Sequence, residues 1–297
     1  MKSDAMPMPE LSYDQAAHYR REGYLALPGV LPAAHVEACK AALSDLIQDR
    51  IPRCSTNLYY EAGQRIEGLA ADERELRVRR LDSFCDEHPA LAAANSRRLH
   101  AALDQLSGIG RTLFQEMALV KPPGIGAAKP WHQDASYFML REPSHVIGTW
   151  IALDAATLDN GCMQFIPRSQ LDAAVPHVQE SLASCSIRPD RLSQRSVVPV
   201  PMQPGDAVVF HGLIQHFTDD KHSATRRRAL QFHFCQAGAA WATSTIMPPC
   251  TATKRANTAL ASHRNMAKRR CASCVAKRKK PCCRWIGREA ARQPMMH

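Results

Sequence analysis

Beyond "SGIG" at residues 107–110 the chain becomes a succession of short apolar or alternating runs cut by turn signals, and this punctuation constrains the fold more than any other feature. The runs are "TLFQEMALVKPPG", "HVIGTWIALDAATLDNGCMQFIP", "SVVPVPMQPGDAVVFHGLIQH" and "RRRALQFHFCQAG". Asp159-Asn160-Gly161 reads as a hairpin turn between "TWIALD" and "CMQFIP", and Pro204-Gly205-Asp206 as a turn before "AVVFHGLIQH".

The N-terminal third carries the other periodicity. Ser12 with Gln15 makes a capping box, Gly23 stops the first helix, and Tyr24–Leu27 is extended. Val36, Cys39, Leu43, Leu46 and Ile47 form the stripe of a second helix, and Leu99, Ala102, Leu103 and Leu106 that of another over about residues 95–107. Helices first and many strands after predict a mainly β protein with flanking helices, a barrel or sandwich buttressed by its N-terminal segment.

The 297 residues, 45% of them hydrophobic, suffice for one large core with an appendage. The net charge of +10 raises the question of a nucleic-acid partner, but it is localised: 13 of the 38 Lys+Arg and one of the 28 Asp+Glu, Glu289, lie beyond residue 246, leaving 25 against 27 in the body. Residues 1–246 are therefore expected to form the functional domain, and 247–297 a basic, cysteine-containing, disordered tail. Cys271-x-x-Cys274 and Cys282-Cys283 are poorly spaced for zinc, and "KRR" and "KRKK" read as solvated charge, so no nucleic-acid partner is assigned. No run approaches the roughly 20 apolar residues of a membrane span, and the first residues lack an export signal's apolar region; a cytoplasmic location is expected. In a reducing compartment most of the eleven cysteines should remain thiols, with Cys39, Cys85, Cys162 and Cys235 as small buried hydrophobes. The pattern assigns no oligomeric state.

The chemistry begins in "KPWHQDASYF". Residues two apart on a strand share a face, so His132 and Asp134 present an imidazole and a carboxylate side by side. His216 follows 84 residues later, at the end of an apolar strand; after a polar turn Arg227 opens the next strand, expected to pair antiparallel with it. On that strand Arg227, Ala229, Gln231 and His233 share one face, looking into a polar interior, and Arg228, Leu230, Phe232 and Phe234 the other. Two histidines and a carboxylate with open positions are the facial arrangement of non-haem Fe(II) oxygenases, and a nearby arginine can hold a carboxylate through two parallel hydrogen bonds.

These residues resemble the phytanoyl-CoA dioxygenase family of Fe(II)/2-oxoglutarate-dependent oxygenases, over roughly residues 10–240. The family's His-x-Asp, distant His and arginine eleven positions further on map to His132, Asp134, His216 and Arg227. "NGCMQFIP" at 160–167 and "PGD" at 204–206 are similar to further family segments. The resemblance implies a double-stranded β-helix, or cupin-like jelly roll, with Fe(2+) on His132, Asp134 and His216 and 2-oxoglutarate on Arg227. Thr218, Met117, Lys121, Gln133 and Trp150 stand where the family lines the 2-oxoglutarate pocket. O2 would complete a dioxygenase that hydroxylates an unactivated C–H of a small-molecule substrate while 2-oxoglutarate becomes succinate and CO2. The chain departs from the family in Phe217, where a glycine follows the distal histidine, in Lys221 for an asparagine, and in Arg168, in a turn that could need positive φ. Those departures motivate an alternative, a catalytically silent relative that binds a ligand or partner.

Other readings are plainer. His211, five residues before His216, should face away from it on the same strand. His222 and His233 read as a turn residue and a pocket or core residue, Trp131, Tyr137 and Phe138 as core or substrate pocket, and Tyr59 and Tyr60 as part of a loop.

Overall fold

The computed structural model describes residues 11–240, apart from 108, 109, 139, 144, 145, 182, 183 and 222. The basic tail and His222 lie outside the described residues.

Helix α1 (Tyr13–Glu22) starts on the Ser12/Gln15 capping box and ends where Gly23 takes φ 87°. It leads into β1 (Tyr24–Leu27) and α2 (Ala33–Ile47), whose stripe of Val36, Cys39, Leu43, Leu46 and Ile47 is buried. Next come β2 (Asn57–Tyr60), the short α3 (Ala71–Glu75), β3 (Val78–Asp82), α4 (Pro89–Ala94) and α5 (Arg97–Ser107). Tyr59 and Tyr60, expected in a loop, belong to β2, an edge strand paired with β3.

The strands of the second part are β4 (Arg111–Lys121), β5 (Lys129–His132), β6 (Ile147–Ala152), β7 (Met163–Phe165), β8 (His177–Ser181), β9 (Ser184–Ile187), β10 (Val198–Val200), β11 (Ala207–His211), β12 (His216–Thr218) and β13 (Arg227–Gln236). They form a seven-stranded sheet in the order β1-β11-β6-β13-β4-β3-β2, a four-stranded sheet in the order β10-β7-β12-β5, and the ribbon β8-β9. From β4 to β7 and again from β10 to β13 the chain alternates between the two larger sheets, which is the jelly roll that the family resemblance implies.

That alternation corrects three expectations. Asp159-Asn160-Gly161 is a turn, but it carries the chain from β6 in the large sheet to β7 in the small one and closes no hairpin. Gly161 is required there: φ is 78°, and a Cβ would lie 2.7 Å from the Asp219 carbonyl oxygen. Likewise "AVVFHGLIQH" is two strands, and β12 and β13 lie in different sheets, so His216 and Arg227 do not sit on paired strands. His211 and His216 therefore do not share a strand either.

The strands β11, β6 and β13 of the large sheet are buried on both faces. Outward, Leu230, Phe232 and Phe234 of β13 join Val209, Ile151 and Val120 in one core with the apolar stripes of the helices. Inward, Ala229, Trp150, Ala152, Val208 and Phe210 pack against Met163 and Phe165 of the small sheet. A second inward cluster holds Ala135, Leu140, Val146, Leu213 and Cys235. Along β13, Gln231 and His233 fall between Ala229 and Cys235, which belong to these two inward clusters. Among the described residues no helix is long and apolar enough to cross a membrane, and the described cysteines are free thiols.

Candidate metal centre

β5 ends at His132, and Gln133 keeps an extended backbone (φ −115°, ψ 127°) before a 3-10 turn begins at Asp134. The strand's two-residue periodicity thus survives one residue past its end. His216, opening β12, pairs directly with His132 in the register of the small sheet. His132, Asp134 and His216 come together as a buried group, each offering one ligand atom, all within 4.8 Å of one another. His132 Nε2 is 3.2 Å and His216 Nε2 3.6 Å from Asp134 Oδ1.

Both rings are oriented by backbone. His132 Nδ1 lies 2.7 Å from the Pro130 carbonyl oxygen and His216 Nδ1 3.0 Å from that of Ile214, so each Nδ1–H donates outward and each Nε2 turns its lone pair to the centre. Burial, helped by the neighbouring His216, pushes His132 down to about 3, and burial also lowers His216, so both imidazoles are neutral near pH 7. Burial by itself would raise Asp134; the surrounding imidazoles and the N–H groups aimed at it hold it well below the carboxylate range instead. Two neutral imidazoles and one carboxylate converging in a buried space fit a divalent ion such as Fe(II).

Gln133, expected in the 2-oxoglutarate pocket, is otherwise engaged. Its side-chain nitrogen donates to the carbonyl oxygens of Ala173 (2.8 Å) and Leu213 (2.6 Å), and its side-chain oxygen accepts from Val175 N–H (2.9 Å). Its own backbone N–H donates to His177 Nε2 at 3.0 Å. Gln133 and His177, a residue the sequence does not single out, brace the turn between the two ligands.

Arg227 opens β13 on the inward face, opposite Lys121 of β4. It is 2% exposed, its guanidinium sits over the Trp150 ring at 5.2 Å, and its Nε and Nη1 have no hydrogen-bond partner. Burial pushes it down to about 10, which leaves it protonated at neutral pH. Orphaning such donors costs on the order of 1–3 kcal/mol each, so an arginine in this state fits a carboxylate brought in from outside. Lys121, 4% exposed, donates to the Ala127 carbonyl oxygen at 2.5 Å and is pushed down to about 7 by burial and by Arg227. Met117 lies on the same face of β4, opposite Gln231, and Thr218 follows His216 by two residues on β12.

Phe217 alternates away from its neighbour His216 and stacks on Trp131 at 4.3 Å, so its bulk lies away from the centre. Arg168 does adopt positive φ (67°). Tyr137 rests edge-on against His132 at 5.8 Å and accepts a hydrogen bond from Lys129 Nζ at 2.7 Å, while Phe138 packs on His233 at 5.0 Å. His233, read from sequence as pocket or core, touches the centre itself: its Nε2 lies 2.7 Å from Asp134 Oδ2. The alternation along β13, which puts it on the face of Arg227, was the available signal.

The comparisons with known proteins agree with this geometry. The family model described as Phytanoyl-CoA dioxygenase (PhyH) matches residues 19–229. A Danio rerio protein named Phytanoyl-CoA dioxygenase domain-containing protein 1 is 26% identical over 267 residues, which cover 77% of this chain and 92% of that protein. Among solved structures, the epimerase SnoN in complex with Fe3+, alpha ketoglutarate and nogalamycin RO matches with a TM-score of 0.62 at 21% identity, covering 82% of this chain and 90% of that one. EctD from S. alaskensis with bound Fe matches with a TM-score of 0.65 at 17% identity, covering 85% and 84%. Since the family match runs from the first helix to the arginine-bearing last strand and takes in the whole His-Asp-His cluster, the chain belongs to the phytanoyl-CoA dioxygenase family.

Proposed function

We propose that the chain is an Fe(II)/2-oxoglutarate-dependent dioxygenase that hydroxylates an unactivated C–H of a small molecule. The observation that carries this reading is the buried Arg227 guanidinium, two of its donors without a hydrogen-bond partner, set in the same barrel as a converging His-Asp-His cluster. His132, Asp134 and His216 would hold the ion. Arg227 would take the far carboxylate of 2-oxoglutarate, with Trp150 beneath the guanidinium limiting its swing and Lys121 and Met117 on the facing strand; Thr218 would add a hydroxyl from β12. When bound, iron, 2-oxoglutarate and O2 supply the oxidative decarboxylation to succinate and CO2 that drives attack on the substrate. The protein's own part is coordination geometry, an anchored co-substrate and a cavity shielded from water.

Phe217, one motive for a silent relative, points away from the centre, which favours the active reading. The test is anaerobic titration of the full chain with Fe(II) and 2-oxoglutarate, followed by aerobic turnover against a metabolite panel with 18O2. A weak visible charge-transfer absorption, succinate release and labelled hydroxyl in one product support the proposal. No absorption change from a folded chain overturns it. Succinate formed with an epimerised, unlabelled product would keep the oxygenase machinery and overturn hydroxylation, an outcome of interest because SnoN is described as an epimerase.

A further inference from the structure

Asp134 is held from both sheets. Its Oδ1 turns toward His132 and His216, whereas its Oδ2 accepts from two donors on β13: His233 Nε2 at 2.7 Å and Gln231 Nε2 at 3.0 Å. A carboxylate is symmetric by itself; here its two oxygens have separate duties. Both donors are buried, and their nitrogens sit 3.0 Å apart on the same oxygen. The His233 ring packs against the touching pair Phe114 and Phe138, with centroids 6.1 and 5.0 Å away. Its Nδ1 has no partner, so Asp134 is the hydrogen-bond acceptor that accounts for an imidazole at this position. Plain core packing would be served better by another phenylalanine.

We propose that His233, seconded by Gln231, is a positioning residue that confines Asp134 to ligation through Oδ1 alone. With Oδ2 tethered to the large sheet, the carboxylate cannot rotate to grasp the ion with both oxygens. The coordination position that a two-oxygen grip would consume stays open for co-substrate and O2. The same tether fixes the distance between the His132/His216 pair on the small sheet and the Arg227 strand on the large one. This inference rests on the metal-site reading above.

The experiment is titration of the full chain with Co(II), read as affinity and as the visible d–d spectrum, which reports coordination number and geometry without turnover. His233→Leu should weaken Co(II) binding roughly 10- to 100-fold, the range for losing a group that orients a ligand, and should shift the spectrum. His233→Gln, which returns an N–H donor without the ring, should restore both. A folded His233→Leu with wild-type affinity and spectrum overturns the clamp, and so does His233→Gln that behaves like His233→Leu. If His233→Leu does not fold, Gln231→Met gives the same reading through the second donor: a weakened, spectrally shifted site supports the clamp and an unchanged one overturns it. A wild-type chain that binds no Co(II) overturns the metal site itself, and the clamp with it.

Discussion

On the outward side of β13, Leu230, Phe232 and Phe234 are at most 1% exposed and meet the helices; on the inward side, Arg227, Gln231 and His233 are at most 5% exposed, with polar atoms that meet Asp134 or have no hydrogen-bond partner even where aromatic rings pack beside them. Burial is equally deep, and its energetics are opposite. Outward, each apolar side chain removed from water stabilises the fold by about 1.5–3 kcal/mol. Inward, a guanidinium with two orphaned donors opposes folding, and what it gains is readiness for an anion. One strand thus carries the stability of the barrel on one edge of its pleat and the chemistry on the other, with only a peptide unit between them.

The sharpest break of this comparison is Phe232→Ala. It should cost about 3–5 kcal/mol in chemical denaturation, because the residue is wholly buried among large neighbours and a cavity would remain. Metal affinity of the folded fraction should be unchanged. Arg227→Met is its mirror image: denaturant stability unchanged or raised, and 2-oxoglutarate binding weakened by about 2–5 kcal/mol, the usual cost of truncating one partner of a buried charged contact. Calorimetry of the two variants in parallel decides the matter, since a Phe232→Ala that loses 2-oxoglutarate affinity while folded, or an Arg227→Met that unfolds, would erase the division of labour.

The smallest effect is on titration. Burial pushes His211, at the end of β11, down to about 4. The unfolded chain binds that proton from about pH 6.5 downward while the native imidazole refuses it until about pH 4, so the unfolded state holds more protons in that window and stability falls as pH falls. From His211 alone the loss is about 2 kcal/mol at about pH 5, read as a lower urea midpoint than at about pH 7. An unchanged midpoint would mean that the pocket around His211 accepts charge.

Much of this was legible in the chain because it depends on local periodicity. The Ser12/Gln15 box, the Val36–Ile47 stripe, the His132/Asp134 spacing and the alternation of β13 all require only residues a few positions apart. Pairing was not legible, because it depends on which sheet a strand joins. Gly212 and its neighbours break "AVVFHGLIQH" so that His211 ends a large-sheet strand and His216 opens a small-sheet one, and an unbroken apolar run gives no sign of that transfer. β2 is only four residues long with two adjacent tyrosines, and β3 has two arginines at its middle, so neither shows the apolar–polar alternation that would have marked it as a strand. The tether on Asp134 was hidden for the same reason as the pairing: His233 lies 99 residues away, and only closure of the two sheets on each other makes them neighbours.

β13 is the last strand of the large sheet to be synthesised, yet it lies at the sheet's middle, between β6 and β4. Apart from Arg227–Gln236, no ladder joins the half-sheet of β1, β11 and β6 to that of β4, β3 and β2. A nascent chain therefore carries its ligand turn at residues 132–134 long before the barrel can close around it. The strand that bridges the two halves also brings the anion anchor and the carboxylate's tether, so the pocket cannot be complete in a chain whose large sheet is not.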